Sequence, residues 1–153
     1  MPSQTFSHSV RVAAPREVVW AALQRPETLE GIGGVDRVHD ALIDQEGRLQ
    51  GFSFEATAAG QVYPGLATPH IREEGRVIAW SIDTSEIEGM IRVDLADQAD
   101  QGAGTDLTVI VELETRSILS SVFFPVITSA MGKGLPDAVE AFAEKLAYPG
   151  QPS

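Results

Sequence analysis

The chain contains no cysteine. No disulfide can staple it, and no thiolate can help to hold zinc. Basic residues are scarce too: 11 Lys and Arg stand against 22 Asp and Glu, a net charge of −11. They do not cluster. A surface of that sign repels phosphate, which argues against nucleic-acid binding by counterion release and against docking on an anionic membrane. A membrane span needs roughly 20 predominantly apolar residues. The longest apolar-rich stretch, Ser117 to Met131, is shorter and is broken by Ser120, Ser121, Pro125, Thr128 and Ser129. It reads as a buried helix. The start, Met1-Pro2-Ser3-Gln4, shows no basic region followed by an apolar run, so no secretory signal is visible and a cytoplasmic location is expected.

What is present is ordinary for a globular protein. The 153 residues, with 43% apolar and 22% charged side chains, suit one domain and argue against disorder. That domain is expected over 1–147, followed by a flexible tail, Tyr148 to Ser153, rich in proline and glycine.

The hydrophobic pattern changes along the chain. Phe6, His8, Val10 and Val12 alternate with polar residues, which predicts a half-buried strand. Ala14-Pro15 ends it, and Pro15 suits the first turn of a helix. Val18, Val19, Ala22 and Leu23 then form a short apolar stripe flanked by Trp20, and Pro26 stops it. A second short helical turn is expected from Glu27 to Ile32. Strands follow over Val35–Ile43, Leu49–Ala59, Gln61–Arg72, Val77–Thr84, Ile87–Ala96 and Leu107–Glu114. The third of these carries Pro64 and Pro69, which predicts an edge strand or a bulge. From Ser117 to Leu146 the pattern is helical, with Leu135, Val139, Phe142 and Leu146 at three- and four-residue spacing. Consecutive strands with short turns make an antiparallel meander, and its apolar face needs a cover. The C-terminal helix is the one element long enough to provide it.

This order resembles the START-like, or SRPBCC, superfamily and its helix-grip fold. The resemblance rests on Val10-Arg11-Val12-Ala13-Ala14-Pro15-Arg16-Glu17-Val18-Val19-Trp20, on the turn Gly102-Ala103-Gly104-Thr105-Asp106-Leu107, and on Gly134-Leu135 followed by Phe142-Ala143-Glu144-Lys145-Leu146. Within the superfamily the chain looks most like two groups: the polyketide cyclase/dehydrase-like proteins, and those similar to a small subunit of carbon monoxide dehydrogenase. The implied fold class is α+β: a curved antiparallel sheet of about seven strands, two short helices, and a long C-terminal helix across the concave face. The implied role is binding or transport of a small hydrophobic molecule such as a lipid, polyketide, aromatic or isoprenoid. The alternatives are a cyclase or dehydratase acting on a polyketide-like substrate, and an assembly or interaction factor of the carbon monoxide dehydrogenase kind. No cofactor is implied, and the protein partner is unknown.

The chemistry-bearing residues are few. His8, His39 and His70 are not at metal-ligand spacing, so no metal site is expected. His8 shares the parity of Phe6 and Val10 and is expected to face inward; His70 follows Pro69 and is expected at a pocket mouth. Gly102-x-Gly104 precedes a strand, not a helix, and reads as a hairpin turn instead of a phosphate loop. There is no Gly-x-Ser-x-Gly elbow. The carboxylates read as a solvated face. No residue is assigned a catalytic role; were there chemistry, His8, His70 or Tyr63 would have to supply it. The aromatic residues are more informative, because pockets are mostly apolar with a few polar anchors. The expected ligand contacts are Phe52, Phe54, Tyr63, His70, Trp80, Ile82, Ile91 and Val109 from the sheet, and Phe123, Phe124, Ile127 and Met131 from the covering helix.

Overall fold

The computed structural model describes residues 3–25, 35–58, 61–85, 87–97, 104–115 and 135–145. Among them, seven strands form one antiparallel sheet: β1 (Ser3–Val12), β2 (Val35–Ile43), β3 (Leu49–Ala58), β4 (Gln61–Glu73), β5 (Val77–Thr84), β6 (Ile87–Asp97) and β7 (Thr105–Thr115). Helix α1 spans Arg16–Leu23, and residues 135–145 form helix α2. The sheet is curved. Its order is β1-β7-β6-β5-β4-β3-β2, so β2 to β7 form a meander and β1 closes beside β7.

The alternation read from the sequence marks the two faces. Val12, Phe52, Phe54, Trp80, Ile82, Ile91, Val93, Leu95, Leu107, Val109, Val111 and Leu113 are buried on one face. Leu135, Val139, Phe142 and Ala143 of α2 join the same core, at the i, i+4, i+7, i+8 spacing of one helical face. Of the helix expected over 117–146, residues 117–134 and 146 lie outside the described residues, as does the turn expected over 27–32. The seven strands and the helix packed on their apolar face are α+β architecture.

Three local expectations need correction. β1 begins at Ser3, three residues before Phe6, because Ser3, Gln4 and Thr5 pair with Glu114, Leu113 and Glu112; polar residues on an edge strand leave no hydrophobic alternation to read. In α1, Val18 is exposed while Trp20 is buried. At 100° per residue the buried arc runs through Ala22, Val19, Leu23 and Trp20, and Val18 falls outside it. Finally, β4 is not an edge. It lies between β3 and β5, and it accommodates its prolines with a bulge between Pro69 and Ile71.

The corner between β1 and α1 is fastened to β7 by the Thr105 hydroxyl, which donates to the Ala14 carbonyl at 2.8 Å. Both ends of that bond are buried, so it satisfies groups that water cannot reach.

Candidate ligand-binding site

Antiparallel register places inward side chains in rows across the sheet. Phe6, Val111, Ile91, Trp80 and Pro69 make one row; His8, Val109, Val93, Ile78 and Arg72 make the next. The second row depends on the β4 bulge. Tyr63, Gly65, Ala67 and Pro69 are opposite Ala56, Phe54, Phe52 and Trp80, so their side of the strand is the inner one. Strict alternation would send Ile71 inward and Arg72 outward. Because His70 is the extra residue, Ile71 pairs with Ala79 and Arg72 with Ile78. The result is a basic side chain on an apolar inner face.

The surroundings of Arg72 are specific. Its guanidinium carbon lies 6.0 Å from the centroid of the Trp80 ring, within range of a cation–π interaction. Its Nη2 donates to the Leu49 carbonyl. Its Nε is buried and has no hydrogen-bond acceptor among the described residues. On the other side of Leu49, the backbone N–H donates to Oε1 of Gln24 at 3.1 Å, and the Gln24 amide donates to the Trp20 carbonyl at 3.4 Å. Gln24 and Arg72 therefore hold the start of β3 between them, and Gln24 links it to the end of α1.

Trp80 is 2% exposed and meets Phe52 edge to face, with ring centroids 5.5 Å apart. Phe52 meets Phe54 in the same manner at 6.3 Å. Such pairs are favoured by the ring quadrupoles beyond the area they bury. The Phe54 ring lies over Gly65 in the neighbouring strand, where a Cβ would run into the ring tip at Cζ. At the opposite edge, His8 Nε2 is 3.8 Å from the Glu140 carboxylate of α2.

The expected contact residues are divided by this geometry. Phe52, Phe54, Trp80, Ile82, Ile91 and Val109 are buried on the inner face, and Tyr63 is half-buried in register with them. His70 is exposed and lines a groove of about 620 Å³ on the outer face, with Ser81, Asp83, Glu88, Met90 and Glu112. His8 and His70 thus lie on opposite faces. Phe123, Phe124, Ile127 and Met131 are outside the described residues. His39 is at the sheet edge, its Nδ1 2.9 Å from Asp40. Among the described residues no group of three or more His, Asp or Glu is arranged to hold a metal ion, and no helix is long and apolar enough to cross a membrane. Arg72 and Gln24 escaped sequence reasoning. The clue to Arg72 was Pro69, which pointed to a bulge and hence to a reversal of parity; nothing in the sequence pointed to Gln24.

No protein-family model matches the sequence, and no curated protein matches it. Solved structures do match. A START superfamily protein from Mycobacterium smegmatis superposes with a TM-score of 0.71 over 93% of this chain and 98% of its own, at 15% identity. The Zhui aromatase/cyclase from Streptomyces sp. superposes at 0.72, over 99% of this chain and all of its own (100%), also at 15% identity. The chain has a START-like fold. Norcoclaurine synthase from Thalictrum flavum shares it more distantly, at a TM-score of 0.60 and 14% identity over 98% of this chain and 96% of its own. In START-like terms, the inner face carrying Trp80 and Arg72 is the side of the sheet on which α2 packs.

Proposed function

We propose that this chain binds a small, largely apolar molecule between the concave face of its sheet and the C-terminal helical segment. The observation that carries the reading is the aromatic group Phe52, Phe54 and Trp80 on that face, with a half-buried guanidinium beside it. Apolar walls with a few polar groups are the usual composition of small-molecule sites. The structural neighbours support the class of ligand. One is an aromatase/cyclase, and norcoclaurine synthase is described in complex with dopamine and hydroxybenzaldehyde. Lipid, polyketide, aromatic and isoprenoid molecules all fit the reading.

The magnitudes are adequate for binding without covalent chemistry. Burying about 200–300 Å² of apolar ligand surface contributes roughly 5–8 kcal/mol before ordering costs. Micromolar affinity corresponds to about 8 kcal/mol. An apolar site with one polar anchor is thus sufficient for useful affinity.

The test is a titration of purified protein with the neutral fluorophore N-phenyl-1-naphthylamine, accompanied by native mass spectrometry for a co-purifying molecule. Saturable fluorescence enhancement is expected, together with displacement by long-chain apolar molecules. Strictly linear, non-saturating fluorescence and no bound mass would overturn the proposal.

A further inference from the structure

We infer that Arg72 anchors a carboxylate, so that the molecule held on the concave face is an amphiphilic acid: an apolar body ending in a carboxylate. The inference rests on the ligand-binding reading above and narrows it to one chemical class.

Arginine cannot shed its proton inside a protein, so its charge has to be met where it stands. The other described arginines meet theirs at the surface. Arg11 faces Asp106, Arg16 faces Asp97, Arg37 faces Glu55, Arg48 faces Glu46 and Glu74, and Arg92 faces Asp94, each within ion-pair distance. Arg25 and Arg76 are exposed to water. Arg72 is half-buried, and no carboxylate among the described residues lies within ion-pair distance. It has one carbonyl, that of Leu49, and one aromatic face, that of Trp80. Its buried Nε–H is left without an acceptor among the described residues. An unmet donor on a charged, partly desolvated group is costly, and a carboxylate is the partner whose planar geometry matches the guanidinium fork.

The charge count favours a monoanion over a phosphate. Among the described residues, Arg72 is the permanently charged cation on the inner face, in a protein of net charge −11. One guanidinium balances one carboxylate. A phosphate monoester carries nearly two charges at neutral pH and would leave the second unmet. The Trp80 ring beside Arg72, and Phe52 beyond it, continue the site as an apolar wall for the body of the acid.

The experiment is competition against N-phenyl-1-naphthylamine by decanoate and by decanol, which share a chain and differ in the headgroup. Wild-type protein is expected to bind decanoate about tenfold more tightly than decanol, the ratio of one charge-assisted hydrogen bond. Arg72→Met should bring that ratio close to unity while leaving fluorophore affinity within about twofold, a difference too small to represent a lost hydrogen bond. Arg76→Met, which removes an exposed arginine from the β4–β5 turn, should preserve the preference. If Arg72→Met does not fold, Arg72→Gln replaces it: the amide can still donate to Leu49 but carries no charge, and the preference should again be lost. Equal displacement by acid and alcohol, or a preference that survives neutralisation of Arg72, overturns this inference and leaves the ligand-binding reading standing. Absence of saturable fluorophore binding removes both.

Discussion

Arg72 lies over the Trp80 ring only because His70 is an extra residue in β4, opposite the uninterrupted register of β5. The two side chains start from different rows of the sheet, Trp80 opposite Pro69 and Arg72 opposite Ile78. Neighbouring rows on one face are within reach of a long side chain. The bulge thus converts a residue of the wrong parity into part of an aromatic site.

Trp80 is the largest side chain in the fully buried core. Its removal opens a cavity beside Phe52 and withdraws the ring from beneath Arg72. Trp80→Ala is expected to lower stability by about 3–5 kcal/mol, read from urea unfolding followed by circular dichroism. A loss below about 1 kcal/mol would show that the site repacks around the gap.

Gly65 and Gly89 should respond differently to alanine. A Cβ at Gly65 meets the tip of the Phe54 ring, and a ring can turn aside. A Cβ at Gly89 collides with the Glu112 backbone oxygen in the adjacent strand, which moves only if the β6–β7 ladder opens. Gly65→Ala is expected to cost about 1–3 kcal/mol, the range for overpacking, and Phe54→Leu should recover part of it. Gly89→Ala should cost more, with no rescue from changing Leu113. Denaturation midpoints of the single and double variants distinguish the two.

Gln24 is a buried amide that accepts from the Leu49 N–H. Gln24→Ala and Gln24→Met both leave that donor without its partner, at a cost of about 1–3 kcal/mol. Faster hydrogen exchange of the Leu49 amide in both variants checks the cause. If Gln24→Met were as stable as wild type, side-chain packing would be the role of Gln24.

Asp44 in the β2–β3 turn has its carboxyl pKa held below the usual value of 3.8. The main cause is the Arg48 backbone N–H, opposed by partial desolvation and reinforced by the Glu46 N–H, the Gln50 amide and the Arg48 charge. A depressed folded-state pKa means that the carboxylate favours the folded turn at all pH values above 3.8, and that this contribution is lost as pH falls through the lower, folded-state value. Carboxyl titration by NMR should place Asp44 below free aspartate. The stability difference between wild type and Asp44→Asn should be constant near neutrality and shrink in strong acid.

Much of the fold was legible because each strand has one wet and one dry face. The boundaries read from alternation over Val35–Ile43 and Val77–Thr84 coincide with β2 and β5. That alternation also placed Phe52, Phe54, Trp80, Ile82, Ile91 and Val109 on the inner face. The beginning of β1 was not legible, since Ser3, Gln4 and Thr5 are exposed and only their backbones pair.

By itself, the sequence determined the period of each strand, the order of the elements and the apolar face that had to be covered, because burial selects side chains one by one along the chain. The tertiary structure alone decided which side His70 and Arg72 would occupy. A bulge is set by how two strands fit over their whole length, including prolines that cannot donate to the ladder, and a single inserted residue exchanges the two faces for everything after it. That exchange put a histidine on the outer surface and an arginine against Trp80.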